Sequence, residues 1–353
     1  MIDLDVLKSI EKEEGISKDY LVEAISASIK AAYKKHFEEA NSVVKVNLAK
    51  GEVRLFAEKT VVEHVTSPLL EISMEEAKAF DENANIGDKV LIEIPTRMLS
   101  SGAVMVARQV FQQKIQEKKK EIIFGIFASK IGEVVSGKVT RIKGRGSIGI
   151  NIEPYNIEGF VPPEEQIPNE RLPRERIVKA YLKETKMTDG GPVVILSRSS
   201  SELLAKLMEI EIPEVTQKIV EIKSIVREPG FRAKVAVASK DIKVDPVGAC
   251  IGQRGIRINS VSKELNYERI DVIRWSSNVE IYVENSLSPA KVKKAEMIND
   301  NKDANVYVSK EEFPVAMGTE GINVNLASKL TGVAIHLIEL KEEGDESEKG
   351  KQN

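Results

Sequence analysis

Apolar residues recur at helical spacing from Asp3 to Glu14 and again from Ser17 to Phe37, where Leu21, Ile25, Ile29 and Tyr33 fall on one face. The spacing predicts two helices. The period then shortens to two: Val44, Val46 and Leu48 alternate with polar residues, Lys50-Gly51 interrupts, and Val53, Leu55 and Ala57 resume. That is the pattern of a hairpin. Val90 to Ile94 predicts a further strand, closed by Pro95. From Thr96 to Ser129 only Gly102 and Gly125 interrupt a helical pattern. A long, charge-laced helix is predicted there as a spacer between domains, with Lys118-Lys119-Lys120 on a solvated face.

The pattern changes at residue 130. Gly132, Gly137, Gly144, Gly146 and Gly149 punctuate short apolar alternations through Val135, Val139, Ile148 and Ile150, and Gly159-Phe160-Val161-Pro162 and Val193 to Arg198 follow. Short strands with glycine corners predict a small five-stranded barrel. Residues 200–284 then read as helix, hairpin, two helices around a glycine pair, and strand, with the hairpin turning at Glu228-Pro229-Gly230. Asp245-Pro246 marks a helix start: a capping carboxylate, then proline at the first helical position. Residues 286–340 repeat the order more compactly, with Pro314 placing the corresponding helix start near Glu312 and Val333 to Leu337 as the last strand. The tail from Lys341 to Asn353 has no apolar residue and is expected to be disordered.

The repeat is sharpest at its centre. Gly252-Gln253-Arg254-Gly255 and Gly318-Thr319-Glu320-Gly321 are each followed by isoleucine, and Asn259, Ser262 and Lys263 match Asn325, Ser328 and Lys329. One Gly-x-x-Gly says little; two in register, each with a matching downstream helix, indicate a duplicated module. That module resembles the KH single-stranded RNA-binding domain, here expected as two tandem type II copies. In KH domains the loop clamps about four nucleotides beside an apolar groove. Glycines let a phosphate approach the backbone, and the start of the next helix favours an anion. On this resemblance Ile251, Gly252, Gln253, Arg254, Gly255 and Arg257 form the first RNA site, with Ile256 and Ile258 as further groove floor. Gly318, Thr319, Gly321, Asn323 and Asn325 form the second, where Glu320 would repel a phosphate. The alternative for either loop is a glycine-tightened helix–turn–helix without a ligand. The barrel frame resembles the S1-type OB fold, with Arg141, Lys143 and Arg145 as its electrostatic RNA contacts. Phe160 and Tyr155 read either as base platforms or as core and loop residues.

Composition bounds the function class. The chain has 353 residues, 52 basic against 55 acidic groups and a net charge of −3. No segment is a basic block, so RNA binding is expected to be modest, local and salt-sensitive. No window is long and apolar enough for a membrane span, and no signal peptide is apparent at the start, so a cytoplasmic location is expected. One cysteine excludes an intrachain disulfide, and three scattered histidines make a zinc site improbable. Cys250 reads as a buried packing thiol rather than a nucleophile. No cofactor or metal is expected.

The stretch from Asp245 to Gly255, the strand Glu268 to Trp275 and the helix Asn325 to Gly332 together resemble the bacterial NusA family of transcription termination and antitermination factors. The resemblance implies a multidomain α+β protein. Its parts are an N-terminal α/β RNA polymerase-binding domain over 1–128 with the long linking helix, an S1 barrel over 129–199, KH domains over 200–284 and 285–340, and a disordered tail over 341–353. It further implies a monomer that binds RNA polymerase, nascent single-stranded RNA and other elongation and antitermination factors, without a membrane, and modulates pausing and termination. The chain stops soon after the second KH module, so the acidic C-terminal repeats of some members are not expected. The competing readings are an accessory protein of RNA degradation, since S1 and KH modules also accompany phosphorolytic exoribonucleases, and a free-standing RNA chaperone. The exoribonucleases place KH before S1 and need catalytic domains. Residues 1–128 offer no phosphate-binding loop or paired carboxylates, and the chain is read as non-enzymatic.

Overall fold

In a computed structural model, which describes residues 4–37, 40–47, 50–142, 146–300 and 302–340, the first periodic segments fold as helices α1 (Leu4–Glu14) and α2 (Lys18–His36). Ser17 caps α2, its hydroxyl accepting from the Tyr20 amide. The alternating stretch gives β1 (Asn41–Asn47) and β2 (Glu52–Val62), antiparallel with Val44 opposite Leu55. The unpredicted β3 (Glu71–Ser73) runs parallel to the end of β2 and leads into α3 (Met74–Ala77), while β4 (Lys89–Ile94) pairs with β2 over Leu55–Thr60. Helix α4 (Ser101–Ala128) follows.

The spacer expected over this last segment proves to be part of the N-terminal core. Phe111, Ile115 and Ile122 of α4 pack with Leu7, Ile16, Leu21 and Ile25. Two lysines of its triplet are half-buried and partnered rather than solvated. Lys119 pairs with Glu14 at 2.5 Å, and Lys118 pairs with Glu121 at 2.9 Å and lies 5.1 Å from the Tyr20 ring centroid.

Strands β5 (Val134–Ile142), β6 (Ile148–Ile152), β7 (Ile157–Val161), β8 (Ile177–Thr188) and β9 (Gly191–Ser197) close a barrel in the order β5-β6-β7-β9-β8. Val139, Ile150, Val161, Leu182 and Leu196 fill it. Gly137 sits where β5 crosses β6: a Cβ there would stand 2.4 Å from the Asn151 carbonyl oxygen.

The first repeat is α5 (Ser201–Glu211), α6 (Pro213–Thr216), β10 (Val220–Glu228), β11 (Arg232–Ser239), α7 (Pro246–Ile251), α8 (Ile256–Glu264) and β12 (Arg269–Arg274). The second is α9 (Val279–Ser286), β13 (Val292–Ile298), β14 (Asp303–Val308), α10 (Phe313–Met317), α11 (Ile322–Thr331) and β15 (Ala334–Glu339). In each, an antiparallel pair is followed by a parallel one, in orders β10-β11-β12 and β13-β14-β15. Even the irregularity is repeated: β10 bulges between Ile222 and Ser224, β13 between Val292 and Lys294. The boundary expected at 284/285 would cut through α9, whose Val283, with the following Leu287, is buried in the second module's core. The expected tail, 341–353, lies outside the described residues.

The chain divides into two compact units, Met1–Phe127 with Met187–Pro192, and Ala128–Lys186 with Val193–Asn353. Within the second, charged side chains weld the barrel to the first repeat. Arg198, 1% exposed, forks onto Glu170 at 2.7 and 2.5 Å and donates to the main-chain oxygens of Lys179 and Glu264. Arg227 pairs with the buried Glu268 at 2.8 Å and donates to the Arg198 and Ser200 carbonyls. The two repeats meet through Ala236 and Ile273 against Tyr282 and Leu330, with the Tyr282 hydroxyl 3.3 Å from the Leu330 carbonyl oxygen. Buried Lys234 donates to the Ser288 carbonyl at 2.8 Å and pairs with Asp271; burial pulls its ammonium down to about 8.

Arg198→Ala leaves Glu170 buried without its cation. Breaking one side of a buried pair costs about 3–5 kcal/mol. Denaturant unfolding of the variant is expected to show a loss of that order, and a loss below about 1 kcal/mol would mean that the junction does not depend on this guanidinium.

Candidate nucleic-acid interface

Each glycine pair closes a turn between two helices, and the local sequence dictates its shape. Asp245 caps α7 by accepting from the Gly248 amide at 3.0 Å, and Pro246 takes the first helical position. The helix stops at Gly252, with φ 72° and ψ 175°. Arg254 is left-handed at φ 53° and ψ 27°, and Gly255 follows at φ 77° and ψ 10° before α8 begins. The second loop repeats this path: Gly318 at φ 72° and ψ 170°, Glu320 at φ 52° and ψ 27°, Gly321 at φ 75° and ψ 8°. Two different tip sequences therefore carry nearly one backbone.

That backbone has a chemical consequence. The Gly252 amide donates to the Gly248 carbonyl and the Gly255 amide to the Gly252 carbonyl. Between them, the amides of Gln253 and Arg254 donate to no acceptor among the described residues. Thr319 and Glu320 stand in the same position between Gly318 and Gly321. A right-handed residue followed by a left-handed one turns successive N–H groups towards one point, the concave arrangement that receives anions. The α8 N-terminus adds its partial positive charge beside the first loop.

The side chains divide into those that face this concavity and those that hold it up. Gln253, Arg254, Thr319 and Glu320 are exposed, with Ile251 and Ile256 exposed on either side of the first loop. Arg257 does not join them. Its guanidinium donates to the Ala249 carbonyl at 2.7 Å and to Glu214 at 2.8 Å, beneath the turn. Asn323 occupies the same place in the second module. It is fully buried, and its Nδ2 donates to the carbonyls of Leu287, Val315 and Ala316 at 3.0–3.2 Å. Both were expected to contact RNA. In this structure both latch the turn onto the preceding helix, Asn323 fully buried and Arg257 part-exposed, because the first turn of α8 and of α11 presents this position to the core. Ile258 likewise packs against the first module's core instead of the groove.

The glycines answer to the same latches. A Cβ on Gly252 would lie 2.8 Å from Arg257 Cγ, and one on Gly318 2.7 Å from Asn323 Cβ and 2.9 Å from its amide nitrogen. With positive φ as well, glycine is required by internal packing before any phosphate arrives. Asn325 and Asn259 stand differently. Both are exposed, with amide nitrogens 3.4 and 3.2 Å from where a Cβ on Gly321 and Gly255 would lie. They flank the loops with their side-chain amides on the exposed side. Asn259 was not among the expected contacts, although its matching offset from the loop was visible in the repeat.

Helix α7, which leads into the first loop, packs against β12, the outer strand of its sheet. Cys250 under α7 is buried, its thiol pushed up to about 12 by burial, as packing requires. Of the expected barrel contacts, Arg141 lies in β5 with its side chain outside the described residues, and Lys143 and Arg145 lie outside them altogether.

Comparison with known proteins places these modules. The NusA N-terminal domain family matches residues 4–121, the NusA-like first KH domain family 198–275, and the NusA-like second KH domain family 279–345. The transcription termination/antitermination protein NusA of Halalkalibacterium halodurans is 38% identical, covering 98% of this chain and 90% of the relative. That of Bacillus subtilis is also 38% identical, covering 98% and 92%. That of Thermus thermophilus is 36% identical, covering 95% and 89%.

The chain belongs to the NusA family. Its two KH matches meet between residues 275 and 279, on the linker that precedes α9. Within this NusA-family chain the two loops share a scaffold and differ in charge at the tip, Arg254 against Glu320, and that difference is separable from the fold because both side chains are exposed.

Arg254→Glu is therefore expected to weaken binding of an unstructured RNA oligonucleotide roughly fivefold, and Glu320→Arg to strengthen it by a similar factor and steepen its salt dependence. Fluorescence anisotropy at two salt concentrations measures both. Equal affinities for wild type and both variants would remove the loop tips from the RNA path.

Proposed function

We propose that this protein is a transcription termination and antitermination factor that docks on RNA polymerase through residues 1–128 and receives the nascent transcript on its barrel and KH modules. The observation that carries the RNA half is the pair of loops, each presenting two consecutive amides without acceptors among the described residues, on a backbone fixed from beneath. Such a receptor suits the sugar-phosphate chain of any sequence, while bases lie in the adjoining groove. The polymerase half rests on membership of a family whose relatives carry the name transcription termination/antitermination protein. The first loop grips phosphate with Arg254 alongside; the second, with Glu320, holds the strand more weakly and chiefly by its amides and Asn325.

The factor acts as a regulator without a catalytic centre of its own, as a monomer in the cytoplasm, in assemblies with other elongation and antitermination factors. Among the described residues no helix is long and apolar enough to cross a membrane.

Two measurements test the reading. Removing residues 1–128 is expected to abolish recovery of core RNA polymerase in a pull-down while RNA affinity stays within about twofold; polymerase recovered by the truncated chain overturns the assignment. Transcription through a hairpin pause site is expected to show a longer pause with the full chain than without it. An unchanged pause lifetime at saturating protein would defeat the functional assignment itself.

A further inference from the structure

The chain has one tryptophan, Trp275, and it stands directly after β12, at the opposite end of α7 from the Gly252–Gly255 loop. Its amide donates to the Val237 carbonyl at 2.9 Å, so the sheet fixes its position. It remains 37% exposed. Beside it opens a groove of about 410 Å³, lined among others by Ser239, Ile242, Pro246, Arg274 and Ser277. Ile242, fully exposed, is a second large apolar side chain with no protein cover. A part-exposed indole and an uncovered isoleucine on one groove, edged by hydroxyls, suit a flat ligand with polar edges.

The surrounding charges narrow the choice. Lys223 lies 5.5 Å from the Trp275 ring centroid and shares Glu221 with Lys240, at 2.7 and 2.5 Å. Arg274 pairs with Asp245, the cap of α7. The Asp241 carboxylate accepts from the Lys243 amide at 2.9 Å, and the Lys243 ammonium has no partner among the described residues. Cations and anions nearly cancel, so the groove has no strong field with which to hold a phosphate cluster. Its distinguishing feature is the aromatic face, and base stacking on such a face needs no net charge.

Continuity selects the occupant. Helix α7 has six residues, about 9 Å of rise, with the loop at its end and the groove at its start. A strand whose backbone rests on the loop and which runs back along α7 reaches the groove beside Trp275. We propose that Trp275 is a stacking platform for an unpaired base of the RNA strand held by the Gly252–Gly255 loop, extending the first KH module's footprint beyond the loop. This rests on the reading of that loop as an RNA site.

Because Trp275 is the only tryptophan, its emission reports on the groove alone. The full chain is titrated with an unstructured mixed-sequence 12-nucleotide RNA while emission and the anisotropy of a labelled oligonucleotide are followed in parallel. Emission is expected to be quenched over the same concentration range in which anisotropy rises. An oligonucleotide of the same length with abasic sugars is expected to leave emission unchanged at any concentration that raises anisotropy. Trp275→Ala is expected to weaken binding about tenfold, and Trp275→Phe by much less, since a phenyl ring still stacks. Anisotropy rising with emission unchanged overturns the stacking role and leaves the loop reading standing. Equal quenching by the abasic strand also overturns it, because the indole then senses something other than a base. No rise in anisotropy overturns the loop reading and this inference together.

Discussion

The buried guanidinium of Arg198 fixes how the RNA-facing half of this protein can work. It sits where the barrel chain becomes the first KH module, forked onto Glu170 and tied to main-chain oxygens of β8 and of Glu264 at the end of α8. Arg227 then wraps the same linker from the other side, holding the Arg198 and Ser200 carbonyls while paired with Glu268. Ions this deeply removed from water stabilise little in net terms, because desolvation offsets their attraction. Their separation is another matter: pulling the modules apart would leave carboxylates and guanidiniums half-solvated in a gap. The junction therefore resists hinging more than it adds to stability, and resistance to hinging is what a surface shared between modules needs.

Helix α8 carries that constraint to the loop. At its last residue, Glu264 accepts from the Lys179 amide at 3.0 Å and so touches the barrel; at its first turn, Arg257 latches the Gly252–Gly255 turn to the Ala249 carbonyl. The rod between barrel and loop is only nine residues long. In the second module the latch changes from arginine to asparagine without changing the turn. Arg257 reaches a carbonyl and Glu214 from a partly exposed position, whereas Asn323 is fully buried and saturates its Nδ2 with three carbonyls. The concave amide geometry is thus set by an interaction underneath it, which leaves the exposed tip residue open to vary in charge.

Much of this was legible from spacing alone. The duplicated glycine pair, the capping Asp245, the hairpin around Glu228-Pro229-Gly230 and the glycine-cornered barrel all act through local backbone rules, and local rules leave marks in sequence. The inward roles of Arg257 and Asn323 were not read, because residue type points to RNA while helical phase points inside. Asn323 precedes Leu326, Ala327 and Leu330 by three, four and seven positions, all of them buried on one face of α11. Followed strictly, that period would have placed Asn323 inside and Asn325 outside. The packing of α4 onto α1 and α2 was hidden for a different reason. Its apolar residues, Val104, Met105, Val110, Ile123 and Phe124 among them, are spread around the helix, so no sharp stripe advertises a buried face, and only the tertiary partners of Phe111, Ile115 and Ile122 define one.

Net charge of −3 then ceases to be an objection to RNA binding. Main-chain amides aimed at one point attract a phosphate without entering the count of ionisable groups, and they cost no side-chain ordering because the turn is already fixed. A protein that binds this way neutralises few phosphates with lysine or arginine, so its affinity per site is low. Low affinity per site is acceptable when the sites cannot move independently: once one loop holds a strand, the next meets it at an effective concentration set by their fixed separation rather than by bulk RNA. Glu320 fits the same logic. Placed on a loop of unchanged geometry, an exposed acidic tip changes the local charge without disturbing the amides beside it.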